Sequence, residues 1–186
     1  MVGVASMGVL ASGSGTILEA ILAAGLPVAV VAADRPCRAL EVAGAAGVPA
    51  LLVERRSFGP DFDRAVYTDR LVGALAPHHV GLVAMAGFMT VLTELLFAAY
   101  PSAVTNTHPS LLPAFPGAHA VRDALAFGVK VTGCTVHLAT VAVDHGPILA
   151  QEAVPVLAGD TEAALHERIK DVERRLYPQT LKELMA

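Results

Sequence analysis

Short apolar runs rich in Val, Ala and Leu alternate along this chain with longer segments in which apolar residues recur every three or four positions. The runs are typical of strands that are buried on both faces, and the longer segments are typical of amphipathic helices. Their repeated alternation predicts an α/β protein with a doubly wound, mostly parallel sheet and helices on both of its faces. The predicted strands are 5–11, 28–33, 50–53, 80–84 and 103–107, and the predicted helices are 17–24, 38–46 and 62–75.

The pattern changes after Pro116, where two further strands are predicted and the segments 130–132 and 135–137 on either side of Gly133 are expected to be antiparallel. A last helix is capped by Asp160 or Thr161, and Glu162 in its first turn suits the positive end of the helix dipole. The sequence contains no linker, repeat or low-complexity tract, so residues 1–186 are predicted to be a single domain. The elements predicted after Pro116 are a helix over 120–126, strands over 129–138 and 148–156, the last helix running toward 178, and a short helical tail over 179–185.

The composition fits one self-supporting core with apolar surface to spare. The chain has 186 residues, of which 54% are hydrophobic, and its mean hydropathy is +0.58. This apolar content exceeds what a small monomer usually buries, so a homodimer would account for the excess. The net charge of −4 provides no basic surface of the kind that binds nucleic acid. We therefore expect small molecules, and no nucleic acid, as partners.

The cysteines and the apolar segments bear on the location of the protein. Cys37 and Cys134 are the only cysteines and form no Cys-x-x-Cys motif, which suits a reducing cytoplasm. The first 18 residues lack the Lys or Arg of a signal peptide. The uncharged run 80–92 is too short for a membrane helix. We therefore expect a cytoplasmic protein without a membrane segment.

A polar pair lies at the end of the predicted strand 103–107. Asn106 and His108 are two residues apart, so their side chains leave the same face of a strand. An amide can donate a hydrogen bond to a developing oxyanion, and an imidazole exchanges protons near neutral pH, so the pair suits chemistry at a carbonyl carbon. The pair also fits a strand end whose polar groups only satisfy neighbouring backbone. Asp144, in a predicted turn, would favour a protonated His108 if the fold brought the two side chains together.

A loop of serine, glycine and threonine, residues 12–16, joins the first strand to the first helix. Backbone N–H groups and the helix dipole can hold a phosphate at such a position. The loop is not a P-loop, because no Gly-Lys-Ser/Thr follows it. The dinucleotide motif is incomplete, because Leu18 occupies the place of its third glycine, although Asp34 lies where a ribose-binding acid would be. A phosphate monoester fits best, and a dinucleotide site and a plain tight turn remain as alternatives.

The seven histidines of the chain raise the question of a metal site. None of them forms a His-x-x-x-His or His-Glu-x-x-His motif, and carboxylates at the spacing of metal ligands are absent. The pair His78-His79 follows a proline at a predicted helix end, which is typical of a solvated turn. We therefore predict no metal site.

Several motifs together point to one family. They are 12–16, 86–89, 106–113, 115–117, 133–137, 144–148, and Glu173 ahead of Tyr177-Pro178. On these motifs the chain resembles, over nearly its whole length, the formyltransferases that use 10-formyltetrahydrofolate, and the glycine loop narrows the resemblance to the glycinamide ribonucleotide formyltransferases of purine biosynthesis. The resemblance implies a Rossmann-like formyltransferase fold. It also implies transfer of the formyl group of 10-formyltetrahydrofolate, as co-substrate, to the amine of N1-(5-phospho-D-ribosyl)glycinamide, without a metal.

The resemblance further implies roles for individual residues. Asn106, His108 and Asp144 match the catalytic trio of the family. Asn106 and protonated His108 would stabilise the oxyanion formed by direct attack of the amine, and Asp144 would hold His108 protonated. The substrate ribonucleotide is implied to contact Gly13, Ser14, Gly15, Thr16, Ile17, Lys170 and Glu173. The folate is implied to contact Arg64, Met89, Thr90, Val91, Leu92, Asn106, Thr140, Val141, Ala142, Val143 and Asp144.

Three positions depart from the usual pattern of the family. Thr90 stands where a cation near the folate is common, Ile17 replaces a frequent polar residue beside the phosphate, and Val121 replaces a His of some members. The nearest alternatives are a methionyl-tRNA formyltransferase, which would add a basic tRNA-binding domain, and a formyltetrahydrofolate hydrolase, which would add a regulatory domain. We expect neither addition here. A more distant alternative is a nicotinamide-dinucleotide-binding protein.

Overall fold

One seven-stranded sheet organises the residues that this computed structural model describes, 6–57 and 59–186. Its strands are β1 (Met7–Ala11), β2 (Val28–Ala33), β3 (Ala50–Leu52), β4 (Leu82–Met85), β5 (Val104–His108), β6 (Val131–Leu138) and β7 (Ile148–Pro155). The helices are α1 (Thr16–Ala23), α2 (Arg38–Ala45), α3 (Arg64–Leu75), α4 (Glu94–Ala99), α5 (Ala120–Phe127) and α6 (Glu162–Met185), and a short 3-10 helix spans Ala76–His78.

The order of strands across the sheet is β3-β2-β1-β4-β5-β6-β7. The first five strands in this order are parallel, and the pairs β5–β6 and β6–β7 are antiparallel. This topology confirms the predicted doubly wound, mostly parallel sheet. The expected antiparallel pairing of 130–132 with 135–137 is wrong, because 131–138 form the single strand β6, whose antiparallel partners are β5 and β7. The chain moves outward from β1 to β2 and β3 and then returns to place β4 on the other side of β1. Ligand sites of such sheets lie outside the carboxyl ends of the strands at this reversal.

The central strand β1 explains why the apolar runs are continuous. All five of its residues are buried. Met7 and Val9 pack on one face of the sheet with residues of α1 and α6, whereas Leu10 packs on the other face with residues of α3 and α4. Because both faces of the sheet are covered by helices, neither set of alternating side chains meets solvent.

Side-chain caps set the starts of two helices. The carboxylate of Asp63 accepts hydrogen bonds from the N–H groups of Ala65 and Val66, each at 3.0 Å, so α3 begins two residues later than predicted. The hydroxyl of Thr161 accepts from the N–H of Ala164 at 3.2 Å. Of the two cap candidates for α6, the structure therefore selects Thr161.

The C-terminal helix corrects one prediction. α6 runs without a break from Glu162 to Met185 and contains Pro178, so the predicted separate tail over 179–185 is wrong. Proline lacks the N–H that would continue the helical hydrogen bonds. Tyr177 and Leu181 are fully buried on either side of it, and the hydroxyl of Tyr177 lies 2.8 Å from that of Thr105 on β5. Packing against the sheet therefore holds the helix together through the proline.

Two smaller differences concern the ends of elements. α4 is not among the predicted helices, because a helix of six residues is too short to show the apolar period of a longer one. The first strand begins at Met7 rather than at residue 5, and Ala5 lies outside the described residues. The strand predicted over 80–84 spans Leu82–Met85.

Candidate functional site

A cavity of about 460 Å³ opens at the carboxyl ends of β1, β4 and β5. It lies at the reversal of strand order, and its walls come from the loops after β1 and β4, the end of β5, the turn after β6 and one face of α6. The fold thus gathers segments that are far apart in the sequence. The predicted site residues that line the cavity are Gly13, Ser14, Gly15, Thr16, Ile17, Met89, Thr90, Val91, Leu92, Asn106, His108, Thr140, Val141, Val143, Asp144, Lys170 and Glu173.

The glycine loop lies at one end of this pocket, and Gly15 shapes it. Gly15 is the N-cap residue of α1 with φ of 75°, and a Cβ there would lie 2.9 Å from the Cα of Ala39. No side chain caps α1. The guanidinium of Arg38 donates to the carbonyl of Ser14 at 2.7 Å and holds the loop. The loop therefore offers backbone N–H groups and the positive end of the α1 dipole to an anion.

His108, at the end of β5, is held between two oxygen acceptors. Its Nε2 donates to the carbonyl of Phe115 at 2.8 Å, and its Nδ1 lies 3.4 Å from Oδ2 of Asp144. The ring and the carboxylate are both buried. An imidazolium carries an N–H on each nitrogen, so the protonated form can satisfy both acceptors at once. The structure thus brings together the imidazole and the acid that are predicted to meet.

Asp144 reaches His108 from a turn in an unusual backbone conformation. Asp144 has φ of 59°, and the N–H of Gly117 donates to its Oδ2 at 2.8 Å. The next glycine, Gly146, lies so close to the end of β6 that a Cβ there would overlap the carbonyl oxygen of Leu138. The turn is therefore pressed against β6, and this contact sets the position of the carboxylate.

Asn106 meets a second buried histidine, His137. The antiparallel pairing of β5 and β6 places the two residues opposite each other, and Nδ2 of Asn106 lies 3.2 Å from Nε2 of His137. The other ring nitrogen, Nδ1, donates to the carbonyl of Leu138 at 3.0 Å. Burial lowers the pKa of His137. His137 is not among the predicted site residues, although its position in the 133–137 motif was a signal.

One stripe of α6 lines the pocket beside the glycine loop. His166, Lys170 and Glu173 are spaced at i, i+4 and i+7, so their side chains lie on one face of the helix. Burial raises the pKa of Glu173, and the hydroxyl of Thr107 and the charge of Lys170 oppose this only in part. Burial and the neighbouring Lys170 lower the pKa of His166. His166 is not among the predicted site residues, and its helical spacing from Lys170 was the signal available.

The comparison with known families bears directly on this site. The profile of the family described as formyl transferase matches residues 7–181. The chain belongs to the formyl transferase family. The match extends from β1 into the last turns of α6, so it includes every segment that lines the pocket. The family resemblance inferred from the motifs is therefore confirmed.

Individual relatives of this formyl transferase agree with the family match. The phosphoribosylglycinamide formyltransferase of Mycobacterium tuberculosis is 51% identical over 173 residues, which cover 90% of this chain and 79% of that protein. That of Bacillus subtilis is 36% identical and covers 96% of this chain and 93% of its own length. Among solved structures, glycinamide ribonucleotide transformylase 1 of Symbiobacterium toebii superposes with a TM-score of 0.89 at 46% identity, over 95% of this chain and 85% of that one.

Apolar side chains surround the mouth of the pocket in this formyl transferase. These side chains are exposed to solvent, and a bound ligand with an apolar surface would bury them. Two residues implied to contact the folate, Arg64 and Ala142, do not line the pocket, and the side chain of Arg64 is exposed at the first turn of α3. The exposed apolar residues at the mouth are Met89, Val91, Val141 and Val143.

Thr90 lies in the pocket wall, but its hydroxyl points into the protein, where it donates to Oδ2 of Asp34 at 2.7 Å. Asp34 is fully buried, and Arg35 donates to both of its oxygens at 3.0 and 3.1 Å. The carboxylate is therefore engaged within the protein, which removes the observation that favoured a dinucleotide. Burial raises the pKa of Asp34, but the hydrogen bonds from Arg35 and Thr90 outweigh burial and lower it.

We expect Thr90→Val to lower the free energy of unfolding by about 1.5 to 3 kcal/mol, because the buried carboxylate of Asp34 loses a donor. The pKa of Asp34 is lowered in the native state, so its stabilisation is present above the unfolded pKa and is lost as the pH falls through the native pKa. The loss should therefore be larger at about pH 7 than at about pH 3. Urea unfolding at both pH values measures it, with Thr90→Ser as the control that keeps the hydroxyl. An equal loss of unfolding free energy at both pH values would contradict a hydrogen bond from Thr90 to the ionised carboxylate of Asp34.

The described parts of the chain hold neither a cluster of metal ligands nor a helix suited to a membrane. No group of three or more His, Cys, Asp or Glu residues within 6–57 and 59–186 could hold a metal ion. No helix in those ranges is long and apolar enough to cross a bilayer. The cysteines, Cys37 and Cys134, are both free, and burial raises the pKa of the Cys134 thiol to about 12.

Proposed function

We propose that this formyl transferase transfers the formyl group of 10-formyltetrahydrofolate to the primary amine of N1-(5-phospho-D-ribosyl)glycinamide in purine biosynthesis. The observation that carries the proposal is that one pocket joins a glycine loop at the uncapped start of α1, a partly buried amide, a buried imidazole and carboxylate, and an apolar mouth. The names of the relatives from Mycobacterium tuberculosis and Bacillus subtilis support the same reaction. We further propose a single domain over residues 1–186, a cytoplasmic location, small-molecule substrates without nucleic acid, and a homodimer.

The proposed chemistry is a direct transfer between two nitrogens. The amine of the ribonucleotide attacks the formyl carbon, and a C–N bond forms while the carbonyl oxygen becomes an oxyanion. Nδ2 of Asn106 donates a hydrogen bond to that oxyanion. The tetrahedral intermediate then breaks its bond to the folate nitrogen, and a proton moves from the attacking nitrogen to the leaving one through water or His108. The bonds and protons of this transfer balance without an oxidant or a metal.

His108 must change one partner to take part in this step. Its Nε2 is occupied by the carbonyl of Phe115 at 2.8 Å. We propose that the ring exchanges this carbonyl for the formyl oxygen when the substrates bind, while Nδ1 stays beside Asp144. The carboxylate then remains next to the imidazolium whose other N–H faces the oxyanion.

The two ends of the pocket suit two different ligand groups. The uncapped N terminus of α1 and the ammonium of Lys170 suit the phosphate of the ribonucleotide, and Glu173 suits its hydroxyl groups. The apolar mouth at 89–92 and 140–143 suits the folate. In this arrangement Thr90 contributes backbone and a methyl group to the folate end, because its hydroxyl is bound to Asp34.

Lys170→Met should raise the KM for the ribonucleotide by about tenfold or more, because a charge-assisted contact to the phosphate is worth about 1.5 to 3 kcal/mol. The kcat value and the KM for the folate should change little. Initial rates at varied concentrations of each substrate measure these constants. Lys182→Met, at an exposed position on the last turn of the same helix, is the matched control. A rise in both KM values would contradict a role confined to the phosphate.

The reaction itself is tested by incubating the purified chain with 10-formyltetrahydrofolate and N1-(5-phospho-D-ribosyl)glycinamide and following the release of tetrahydrofolate. We expect release that depends on the ribonucleotide. Release with water as the only acceptor would indicate a hydrolase, and release that requires methionyl-tRNA would indicate the tRNA enzyme. Binding of a nicotinamide dinucleotide, measured by calorimetry, would favour the remaining alternative.

A further inference from the structure

The buried ring of His137 has partners that determine where its protons lie. His137 is 1% exposed, and its Nδ1 lies 3.0 Å from the carbonyl oxygen of Leu138. A carbonyl oxygen can only accept, so Nδ1 carries a hydrogen. In the neutral ring, Nε2 then has a lone pair and no hydrogen. This nitrogen can only accept a hydrogen bond from Nδ2 of Asn106, which lies 3.2 Å away.

The surroundings of His137 favour this neutral tautomer. Burial lowers the pKa of the ring, and the nearby His108 acts in the same direction. The bond to the Leu138 carbonyl and the charge of Asp144, whose Oδ1 lies 3.7 Å from Nε2, act in the opposite direction. The net pKa remains lowered.

A neutral His137 fixes the orientation of the Asn106 amide. Rotation of the amide by half a turn would bring Oδ1 against the lone pair of Nε2, and two acceptors would then face each other in a buried place. In the observed orientation, Nδ2 gives one hydrogen to His137 and keeps a second, and Asn106 lines the pocket. An amide free to rotate would present its oxygen to the oxyanion for part of the time.

We propose that His137 is a positioning residue that holds the Asn106 amide with its N–H directed at the reacting formyl group. The proposal deepens the proposed function and rests on it, because it assigns His137 to the same reaction. His137 does not touch the substrate in this role. It acts through Asn106, and its own requirement is an acceptor at the position of Nε2.

Two amide substitutions at His137 show which of its two ring nitrogens is required. His137→Gln can place a carbonyl oxygen near the position of Nε2, whereas His137→Asn reaches only the position of Nδ1. We expect His137→Gln to lower kcat by less than about threefold and His137→Asn to lower it by about tenfold or more, since a misdirected oxyanion donor costs up to about a hundredfold. The KM values should stay within about twofold in both variants. Similar losses of kcat in both variants would overturn the proposal.

A double-mutant cycle tests whether His137 acts through Asn106. In an Asn106→Ala background, His137→Asn should change kcat by less than about twofold, because no amide remains to be oriented. If kcat of the double variant fell by the product of the two single-variant factors, the proposal would be overturned. Thermal unfolding of each variant checks that the fold persists.

The tautomer can be measured without any assay of activity. The imidazole ¹⁵N shifts of the wild-type chain should show a protonated Nδ1 and an unprotonated Nε2 for His137. In His137→Asn, the side-chain amide protons of Asn106 should exchange faster with solvent. A protonated Nε2 would overturn the positioning role. If the wild-type chain released no tetrahydrofolate while these spectra were as expected, the proposed reaction would fail and the orientation of Asn106 by His137 would stand.

Discussion

Replacement of His108 by alanine should lower kcat by about a hundredfold or more and leave the KM of each substrate within about threefold. The imidazole and the carboxylate of Asp144 both line the pocket, with Nδ1 3.4 Å from Oδ2 of the carboxylate. Removing the imidazole takes away the N–H that is proposed to face the oxyanion, while the phosphate and folate ends of the pocket stay intact. Steady-state rates at varied concentrations of both substrates measure the effect.

The control for this variant lies at the opposite end of the sheet. His79 is exposed just before the amino end of β4, far along the strand from the pocket, and has φ of 51°. Asparagine tolerates this backbone conformation, so His79→Asn should keep the wild-type kcat. If His108→Ala instead raised both KM values at an unchanged kcat, the ring would serve binding and not the chemical step.

The sheet was largely predictable from the sequence because burial on both faces leaves a strong pattern. Strands such as β1 and β2 contain no polar residue, and a glycine with positive φ, Gly25 or Gly47, follows closely after each of the helices α1 and α2, so the alternation of elements is visible without a structure. The ends of elements depend on side-chain contacts that this pattern does not encode. The Asp63 cap and the passage of α6 through Pro178 are both examples, since each is decided by a few local or tertiary contacts.

The site was predictable in part. The shared face of Asn106 and His108 follows from the two-residue period of a strand. Asp144 lies far along the chain, in a turn whose approach to β6 depends on Gly146, so its residue type could suggest the contact with His108 only as a condition, and the family resemblance was needed to predict it. His137 was missed because its contact with Asn106 comes from the register of two antiparallel strands, which the apolar pattern does not fix.

Two further features of the site could not be inferred from residue types. The partner of His108 Nε2 is the backbone carbonyl of Phe115, and any residue at that position would offer the same atom. Thr90 was expected to matter through the cation it replaces. Its hydroxyl instead crosses to the carboxylate at the end of β2, a contact that follows from the neighbouring ends of β1, β2 and β4 in the sheet.

Replacement of Gly146 by alanine should lower kcat by about a hundredfold and the free energy of unfolding by about 1 to 3 kcal/mol. The added Cβ would overlap the carbonyl oxygen of Leu138 and lie 3.2 Å from Cγ2 of Thr140. The N–H of Leu138 donates to the carbonyl of Pro147 at 2.9 Å, so the residue after Gly146 is tied to the same end of β6 and the overlap has little room to relax locally. We expect relief of the overlap to shift the whole turn and to move Asp144 away from His108, so activity should fall further than the loss of stability alone explains.

The matched control is Gly44→Ala on α2. A Cβ at Gly44 meets no atom within 4 Å, and the backbone there is helical, so alanine should raise the free energy of unfolding by about 1 kcal/mol. Urea unfolding and kcat, measured on both variants at a temperature where each is folded, separate the two effects. Because the two substitutions add the same methyl group, the difference between them isolates the contact at Leu138. A folded Gly146→Ala variant with the wild-type kcat would show that the turn is not what holds Asp144 in its catalytic position.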